Sequence, residues 1–557
     1  MPDSRPTWPL ALATTGVAGL VALPALGGCP SWLDRLALAI IGRPLVPQHA
    51  MVLGIALIIA ARGLLLRRRI AWYGLQAVIT LGILAAVSGA DPLWRLPLLA
   101  AAAWALWRFR GGLLVSPHPA RVRTAVGTGA AIVFVSLLGC VLIGHASVRS
   151  VGYDMVTGLG GGGLDDGSLD LSGPLWLPAA LGLLGGIGLL VIIEILLAPA
   201  PPPPPGNESE RRQVSALVAH PASDTLAPFA LRHDKSYVFS PDRRAAIGYR
   251  VLFGVAAAGG DPVGDPLSYD SAIQEFLELC GRMGWRPAVL GASADQLESW
   301  PELRSIGFGD EVIVRPADFS LSGRQMRNVR QAVQRTRRAR VTTTVLAERD
   351  LSPGLRVALL GVASSALGGA TERGFSMNLD ELLTGEHPGC LVAVAYDEDG
   401  GPIAFQRYAA AGSGLSLDAM RRTPGAPNGV NERLIIEMID YARKHEIPEL
   451  SLNFAAFREL LDASDRNPLE KVGYRALHLL DPLIAVESLY LFDRKFRPHY
   501  RPRSVVFRSW ADLGWVAAAL LTLEFGRSHP AVPQAEPEML PELSSERPLS
   551  RPHKSSP

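Results

Sequence analysis

The chain has 557 residues, so more than one folded domain is expected. Hydrophobic residues make up 48% of it and charged residues 19%, which is apolar for a soluble enzyme, and the formal net charge of +2 means that any attraction to anions must come from local clusters. The four scattered cysteines form no CxxC pair and have no histidine at ligand spacing, which excludes a zinc ribbon or a disulfide framework as the organising feature.

The first 198 residues are rich in Leu, Ala, Val, Ile and Gly and predict a bundle of about six membrane-spanning helices. Each segment is apolar and roughly long enough to cross about 30 Å of hydrocarbon. The predicted spans lie near residues 9–28, 49–66, 70–88, 95–107, 124–145 and 175–198.

Arginines predict the orientation of this bundle, because cytoplasmic connections carry an excess of positive charge. One cluster follows the second predicted span and another follows the fourth. They comprise Arg62, Arg67, Arg68, Arg69, Arg108, Arg110, Arg121 and Arg123. With both termini cytoplasmic, both clusters lie inside, which predicts a multi-pass protein of a bacterial-type cytoplasmic membrane.

No charged residue lies near the centre of a predicted span, so an anchor or lipid-facing platform is favoured over a pump. Glu194, near the inner end of the last span, is expected to contact interfacial water.

A proline-rich tether at residues 199–222 is predicted to be a semi-rigid spacer with a polar continuation. After it, strand and helix patterns alternate, and a similar unit occurs twice, at about 220–320 and 345–510. The predicted organisation is therefore a first α/β subdomain at 223–320, a basic helix at 321–344, a second, catalytic subdomain at 345–527 and a disordered tail at 528–557.

In the second unit a strand at 415–421 is followed by a Gly- and Pro-rich loop at 422–429, a helix at 430–444 and a strand at 449–454. A loop of this kind presents backbone N–H groups to a phosphate at the helix start. The order resembles the core of the GCN5-related N-acetyltransferase fold. Pro427 cannot donate an N–H, which makes coenzyme A doubtful.

The segment 322–340 contains seven arginines and no acidic residue. A helix capped by Ser320 or Ser322 would place Arg324, Arg327, Arg335 and Arg338 on one face. Without interleaved glutamates such a face repels itself, so contact with nucleic acid or anionic lipid is favoured over a plain solvated face. The predicted contacts are Arg324, Arg327, Arg330, Arg335 and Arg338.

The part of the chain after residue 198, called the soluble half below, resembles the C-terminal domain of the phosphatidylglycerol aminoacyltransferases, the multiple-peptide-resistance-factor family. The resemblance covers roughly residues 220–525 and rests on an ordered set of short motifs. They are Leu231–Lys235 with Tyr237, Gly260–Gly264, Phe319–Gly323, Glu372–Met377, Leu417–Arg421, Ala426–Gly429, Glu487–Tyr490, Lys495–Pro498 and Pro502–Arg503.

The resemblance implies tandem acetyltransferase-like folds and transfer of a lysyl or alanyl group from aminoacyl-tRNA to a hydroxyl of phosphatidylglycerol, linked in the family to antimicrobial peptide resistance. It implies aminoacyl-tRNA, phosphatidylglycerol and membrane lipids as partners, with a homo-oligomer left open. Neither a cofactor nor a metal is expected, because ester-to-ester transfer is nearly balanced energetically. The bundle has fewer spans than the family's flippase, so lipid translocation is not implied.

The resemblance also selects the candidate site residues. Asp418 and Arg421 match an Asp-x-x-Arg motif, in which Asp418 would bind the aminoacyl ammonium or act as base and Arg421 would hold a phosphate. Joint action of two strand residues three apart predicts a β-bulge near Met420. Glu487 and Lys495 are a second candidate pair, and the candidate substrate-binding residues are Asn428, Gly429 and Arg503.

Purely structural roles stay open for these residues. They are an ordinary ion pair for Asp418 and Arg421, a basic membrane-facing rim around Lys495 and Arg503, and a simple turn at Asn428 and Gly429. Alternatives to the whole function also stay open. They are another acyltransferase of the same fold, of the acyl-coenzyme A or peptidoglycan-bridge type, and a non-catalytic membrane scaffold that binds tRNA or anionic lipid.

Overall fold

A computed structural model of the protein describes residues 7–26, 30–41, 47–89, 91–112, 115–142, 177–368, 378–379, 382–387, 389–412, 414–456 and 491–525. The N-terminal part is helical: α1 (Trp8–Ala22), α2 (Ser31–Ile41), α3 (Pro47–Leu65), α4 (Arg69–Val87), α5 (Leu96–Arg108), α6 (Pro119–Leu142) and α7 (Leu177–Leu197). All six predicted spans contain a helix, and α2 was not predicted.

The length and composition of α4 are sufficient for it to cross a bilayer, and it is the one helix among the described residues that meets both criteria. Close helix contacts form where a glycine leaves room. A β-carbon at Gly188 of α7 would come within 2.5 Å of Ile132 on α6. Glu194 accepts a 2.6 Å hydrogen bond from Arg62 of α3. The Glu194 side chain is still 45% exposed, so the ion pair leaves the expected contact with interfacial water open.

The soluble half alternates strands and helices. Its strands are β1 (Ser236–Phe239), β2 (Ala245–Leu252), β3 (Val255–Gly259), β4 (Val263–Gly264), β5 (Arg286–Ser293), β6 (Arg304–Val314), β7 (Thr342–Ala347), β8 (Leu391–Tyr396), β9 (Pro402–Ala411), β10 (Gly414–Arg422), β11 (Glu449–Ala456) and β12 (His499–Phe507). Its helices are α8 (Glu208–Val218), α9 (Tyr269–Met283), α10 (Arg327–Arg338), α11 (Pro353–Leu367), α12 (Val430–Lys444) and α13 (Leu513–Phe525).

These strands form one continuous sheet rather than two separate ones. Its order is β1-β2-β3-β5-β12-β6-β11-β10-β9-β8-β7, with β4 paired to β2. The last strand, β12, lies antiparallel between β5 and β6 of the first unit. The predicted boundary that kept residues 345–527 together is therefore corrected: β12 and α13 complete the first unit, since α13 packs on β3 and β5.

Helices cover both faces of the sheet, as expected of an α/β fold with its core between layers. On α12 the apolar residues Leu434, Ile435, Met438, Ile439 and Ala442 are all fully buried. They share a core with the buried side of α10, whereas α11 packs against the opposite face of β8 and β9.

The tether is attached to the soluble half along its length. Ala200 N–H donates to Met283 O and Trp285 Nε1 donates to Ala200 O, each at 2.9 Å. Gly206 N–H donates to Lys235 O at 2.9 Å. The polar continuation is not a spacer, because Asn207 and Glu210 form a capping box that starts α8.

Candidate functional site

The site predicted from the sequence lies where β10 and β11 separate. These parallel strands pair only through Gly414–Ser416 and Glu449–Ser451, although both continue for several residues beyond that ladder. Backbone groups farther along the two strands therefore face a gap at their carboxyl ends. Gaps of this kind at the carboxyl ends of parallel strands are where α/β folds bind ligands.

Asp418 lies in a β-bulge. The register of β10 against β9 shifts between Leu417 and Ala419, so the two strands are out of step at Asp418. The bulge expected near Met420 is thus present two residues earlier. Residues two apart on a regular strand face the same side of the sheet, but the bulge places Leu417 and Ala419 on opposite sides. Ala419 joins the core under α11, whereas Leu417 joins the core under α12.

The ion-pair partner of Asp418 is Arg407, a residue the sequence analysis did not select. Arg407 Nη1 donates to Asp418 Oδ2 at 2.9 Å, and Arg407 Nε and Nη2 donate to both oxygens of Glu348 at 2.5 and 3.1 Å. All three side chains are at most 2% exposed. One signal was available: Arg407 is the one charged residue of strand β9 and lies in its middle.

This buried network also holds a loop. Leu379 N–H donates to Asp418 Oδ1 at 2.8 Å, and Gly385 N–H donates to Glu348 Oε1 at 2.9 Å. Burial raises the pKa of Asp418, and Arg407 opposes that rise. With each oxygen already accepting a hydrogen bond, Asp418 is better placed to position the loop and Arg407 than to reach a substrate directly.

Arg421 is half-buried, and its Nη1 donates to Met420 O at 2.9 Å. Burial lowers the pKa of its guanidinium. Because Asp418 pairs with Arg407, the alternative of a purely structural Asp418–Arg421 ion pair is not supported. The role of Arg421 in holding a phosphate stays a prediction.

Gly429 is required by the backbone. It precedes α12 with φ of +104°, and a β-carbon there would come within 2.8 Å of Ala332 O on α10. Inside the loop, Ala426 N–H donates to Thr423 O and Val430 N–H to Pro427 O, so these groups serve the turn. Asn428 is exposed beside them. The turn role is therefore sufficient for Gly429, and contact of Asn428 with substrate stays a prediction.

Lys495 pairs with the first turn of α12. Its Nζ lies 3.0 Å from Glu432 Oε1 and 4.8 Å from the centre of the Phe492 ring. Its expected partner, Glu487, lies outside the described residues, as does the motif 372–377. Asp493 is buried nearby, and within the described chain neither of its carboxylate oxygens has a hydrogen-bond partner. Burial raises its pKa well above the usual range, and the nearby Lys495 opposes that rise.

Arg503 is fully buried among carboxylates and does not face an open pocket. Its Nη2 lies 2.5 Å from Glu311 and 2.6 Å from Asp224, and its Nη1 lies 3.5 Å from Asp261. A substrate phosphate could reach this guanidinium only by displacing these carboxylates. The predicted substrate-binding role of Arg503 is therefore corrected to a structural one that joins β12 to β6 and to the loops before β1 and β4.

The arginine helix differs from its prediction in where it begins. α10 starts at Arg327, after Met326, so neither Ser320 nor Ser322 caps it and Arg324 precedes it. Val329, Ala332, Val333 and Thr336 are buried, and the face bearing Arg327, Arg335 and Arg338 is exposed. Arg330 is also exposed, but it donates to the carbonyl oxygens of Leu321 and Gly323.

Residues 215–507 match the family described as phosphatidylglycerol lysyltransferase, C-terminal. The chain belongs to this family. An MprF-like domain protein of Mycobacterium tuberculosis is 41% identical over 323 residues, which are 56% of this chain and 66% of that protein. A lysylphosphatidylglycerol biosynthesis bifunctional protein, LysX, of Gordonia bronchialis is 36% identical over 357 residues, 62% of this chain. The chain spans only 31% of that LysX protein.

The fold is shared with a solved structure, the C-terminal domain of a candidate lysylphosphatidylglycerol synthetase from Agrobacterium fabrum. It is 22% identical, with a TM-score of 0.50, and the match covers 58% of this chain and all of that one. The soluble half is thus an α/β domain with the fold of that structure, and its acetyltransferase-like character stays a prediction. No group of three His, Cys, Asp or Glu suited to a metal ion occurs among the described residues.

Proposed function

We propose that the protein transfers an aminoacyl group, lysyl or alanyl, from aminoacyl-tRNA to a glycerol hydroxyl of phosphatidylglycerol at the cytoplasmic face of a membrane. One observation carries the proposal beyond the family. The arginine helix α10 packs through Ala332 against Gly429, at the loop that borders the gap between β10 and β11. A surface suited to tRNA phosphates therefore adjoins the place where the acyl group would react.

In the proposed reaction the lipid hydroxyl attacks the ester carbonyl of the aminoacyl-tRNA. The lipid hydroxyl loses its proton as its oxygen bonds to the carbonyl carbon, which becomes tetrahedral with an oxyanion. The bond to the tRNA ribose oxygen then breaks, and that oxygen takes up one proton, so no net proton is gained or lost. Preorganised N–H donors stabilise such an oxyanion, and backbone N–H groups of β10 and β11 beside the gap between the two strands are proposed to supply them. Arg421 and Lys495 are the cations proposed to hold substrate phosphates, and Asp418 is proposed to fix the loop and Arg407 beside them.

The membrane arrangement is part of the proposal: six spanning helices with both termini cytoplasmic. Two arginine-bearing connections support it. Arg69 N–H donates to Val115 O at 2.9 Å, so the connection after α3 meets the one after α5. Arg68 Nη2 donates to Gly284 O and Arg121 Nε to Pro199 O. Both connections therefore lie on the side of the soluble half, as the arginine distribution predicts.

Lipid analysis of cells that express the intact protein tests the activity, beside Asp418→Asn and an exposed control, Asp295→Asn. We expect a new aminoacyl-phosphatidylglycerol, whose mass names the amino acid, to be lost with Asp418→Asn and kept with Asp295→Asn. The melting temperature of purified Asp418→Asn separates lost transfer from lost folding. Unchanged lipids, with expression and charged tRNA confirmed, would contradict the proposal.

A further inference from the structure

An apolar groove runs along the cytoplasmic half of α7. Its volume is about 410 Å³, and apart from Arg121 of α6 and Glu194 its lining is apolar: Ile187, Leu190, Val191, Ile195 and Ala198. The volume is within the range of ligand pockets, roughly 300–1,000 Å³. Its lining spans about 16 Å of helix at 1.5 Å per residue, which is close to the depth of one leaflet.

The groove is open on its outer side. Ile187 is 58% exposed and Val191 is 43% exposed. The glycine contact between Gly188 and Ile132 brings α6 and α7 close together at the base of the groove. This shape suits an extended hydrocarbon chain lying along α7.

At its polar end the groove is lined by Arg121, which interacts electrostatically with Arg68, as does Arg286. We define these three residues as the arginine cluster. Arg68 is only 4% exposed, and its Nε has no hydrogen-bond partner within the described residues. Burial, together with the neighbouring Arg286 and Arg121, lowers the pKa of Arg68 to about 10. The cluster therefore concentrates positive charge where little water reaches it.

Carboxylates neutralise only part of this charge. Arg286 pairs with Asp512 at 2.8 Å, and Glu194 pairs with Arg62 at 2.6 Å. Among the described contacts, Arg68 and Arg121 are met only by carbonyl oxygens, those of Gly284 and Pro199. Guanidinium groups that are met only by carbonyl oxygens favour a phosphate, because the hydrogen bonds that they donate to a phosphate are charge-assisted.

We propose that this groove and the arginine cluster bind one anionic phospholipid, with an acyl chain along α7 and the phosphate at Arg68 and Arg121. The site is separate from the transfer site between β10 and β11. Because Arg68 contacts the turn between α9 and β5, the bound lipid would fix the soluble half against the membrane surface.

Lipid binding to the full-length protein in detergent, measured by native mass spectrometry, tests the site. Phosphatidic acid is the probe, because it carries the phosphate but lacks the glycerol headgroup of the proposed acceptor, and diacylglycerol with the same chains, which has no phosphate, is the comparison. We expect phosphatidic acid to bind at least about tenfold more tightly, as one charge-assisted hydrogen bond predicts.

Two variants address the two halves of the site independently. Arg121→Gln removes a phosphate contact, and Val191→Trp fills the groove without touching an arginine. Both should weaken phosphatidic acid binding by about tenfold, whereas Arg349→Gln, an arginine 80% exposed elsewhere, should not. Equal binding of the two lipids, or wild-type binding by both variants, would overturn the proposal. Full competition by inorganic phosphate, with no effect of Val191→Trp, would show a free-anion site instead.

Discussion

Arg407 and Arg503 are fully buried within the sheet, whereas the arginines of α10 stand in solvent. Each buried guanidinium is surrounded by carboxylates, two around Arg407 and three around Arg503. The exposed helix has no acidic residue of its own. The same residue type therefore joins strands in one region and offers charge to a partner in the other, and the difference lies in the acidic neighbours that the fold supplies.

The two buried networks also differ from each other. Around Arg407 both carboxylates are almost fully enclosed, whereas the Asp224 side chain beside Arg503 is 24% exposed. Water can therefore compensate part of the second network but not the first. Loss of Arg407 should accordingly cost more than loss of Arg503.

The largest expected effect is that of Arg407→Met. It leaves Glu348 and Asp418 buried without a cation, which typically costs about 3–5 kcal/mol of folding free energy. The melting temperature of the full-length protein in detergent measures the loss, and Arg503→Met should lower it less. The triple variant Arg407→Met/Glu348→Gln/Asp418→Asn should recover part of the stability. If Arg503→Met were the more damaging change, the proposed difference between the networks would be wrong.

An intermediate effect concerns pH and the second network. Burial raises the pKa of Asp261 to about 6, with the neighbouring Asp224 adding to the rise and Arg503 opposing it. The unfolded value is about 3.9. Between about pH 4 and pH 6 the folded protein thus keeps a proton that the unfolded chain has lost, so this group's stabilisation falls as pH rises through that window, by up to about 3 kcal/mol.

Asp261→Asn should remove that slope. Melting temperatures measured from pH 4 to pH 7.5 should fall less steeply in this variant than in the wild type. Asp295→Asn, on an exposed helical turn, serves as the control and should follow the wild type. Parallel pH profiles for all three proteins would show that Asp261 does not titrate as described.

The smallest effect on stability is expected on α10. Arg327→Gln/Arg335→Gln/Arg338→Gln should change the free energy of unfolding by no more than about 0.5 kcal/mol, because the three side chains are exposed. The affinity for tRNA should fall, and its slope against salt should shrink by up to roughly 0.7–0.9 per lost phosphate contact.

A matched triple, Arg212→Gln/Arg282→Gln/Arg349→Gln, removes three other exposed arginines. Electrophoretic mobility shift with tRNA at several salt concentrations should separate the two triples. Equal loss of affinity in both would mean that overall charge, and not the α10 surface, attracts the tRNA.

Local patterns in the sequence were sufficient for many elements. The helix at 430–444 has the predicted bounds, because its helical periodicity is undisturbed. The position of β12 has no such local signal, since its pairing joins residues 499–507 to strands about 200 positions earlier in the chain. Its placement depends on the assembled sheet.

The candidate site shows the same contrast between features with a local sequence pattern and features that depend on long-range contacts. The motif selected Asp418, and the expectation of joint action predicted the bulge, but Arg407 was missed because its partners Glu348 and Asp418 are 59 and 11 residues away. Arg503 was assigned to substrate because the sequence cannot show which carboxylates will surround a cation. Partner identity in a buried network is a property of tertiary structure.

The insertion of β12 between β5 and β6 has a consequence for synthesis on the ribosome. A nascent chain that has emerged only as far as residue 490 contains both flanking strands but not the strand that joins them. The half-built sheet then exposes two unpaired edges, which are templates for wrong pairing and aggregation. Productive folding of the first unit must therefore wait for the end of the second, and a premature stop before His499 would leave β5 and β6 as open edges.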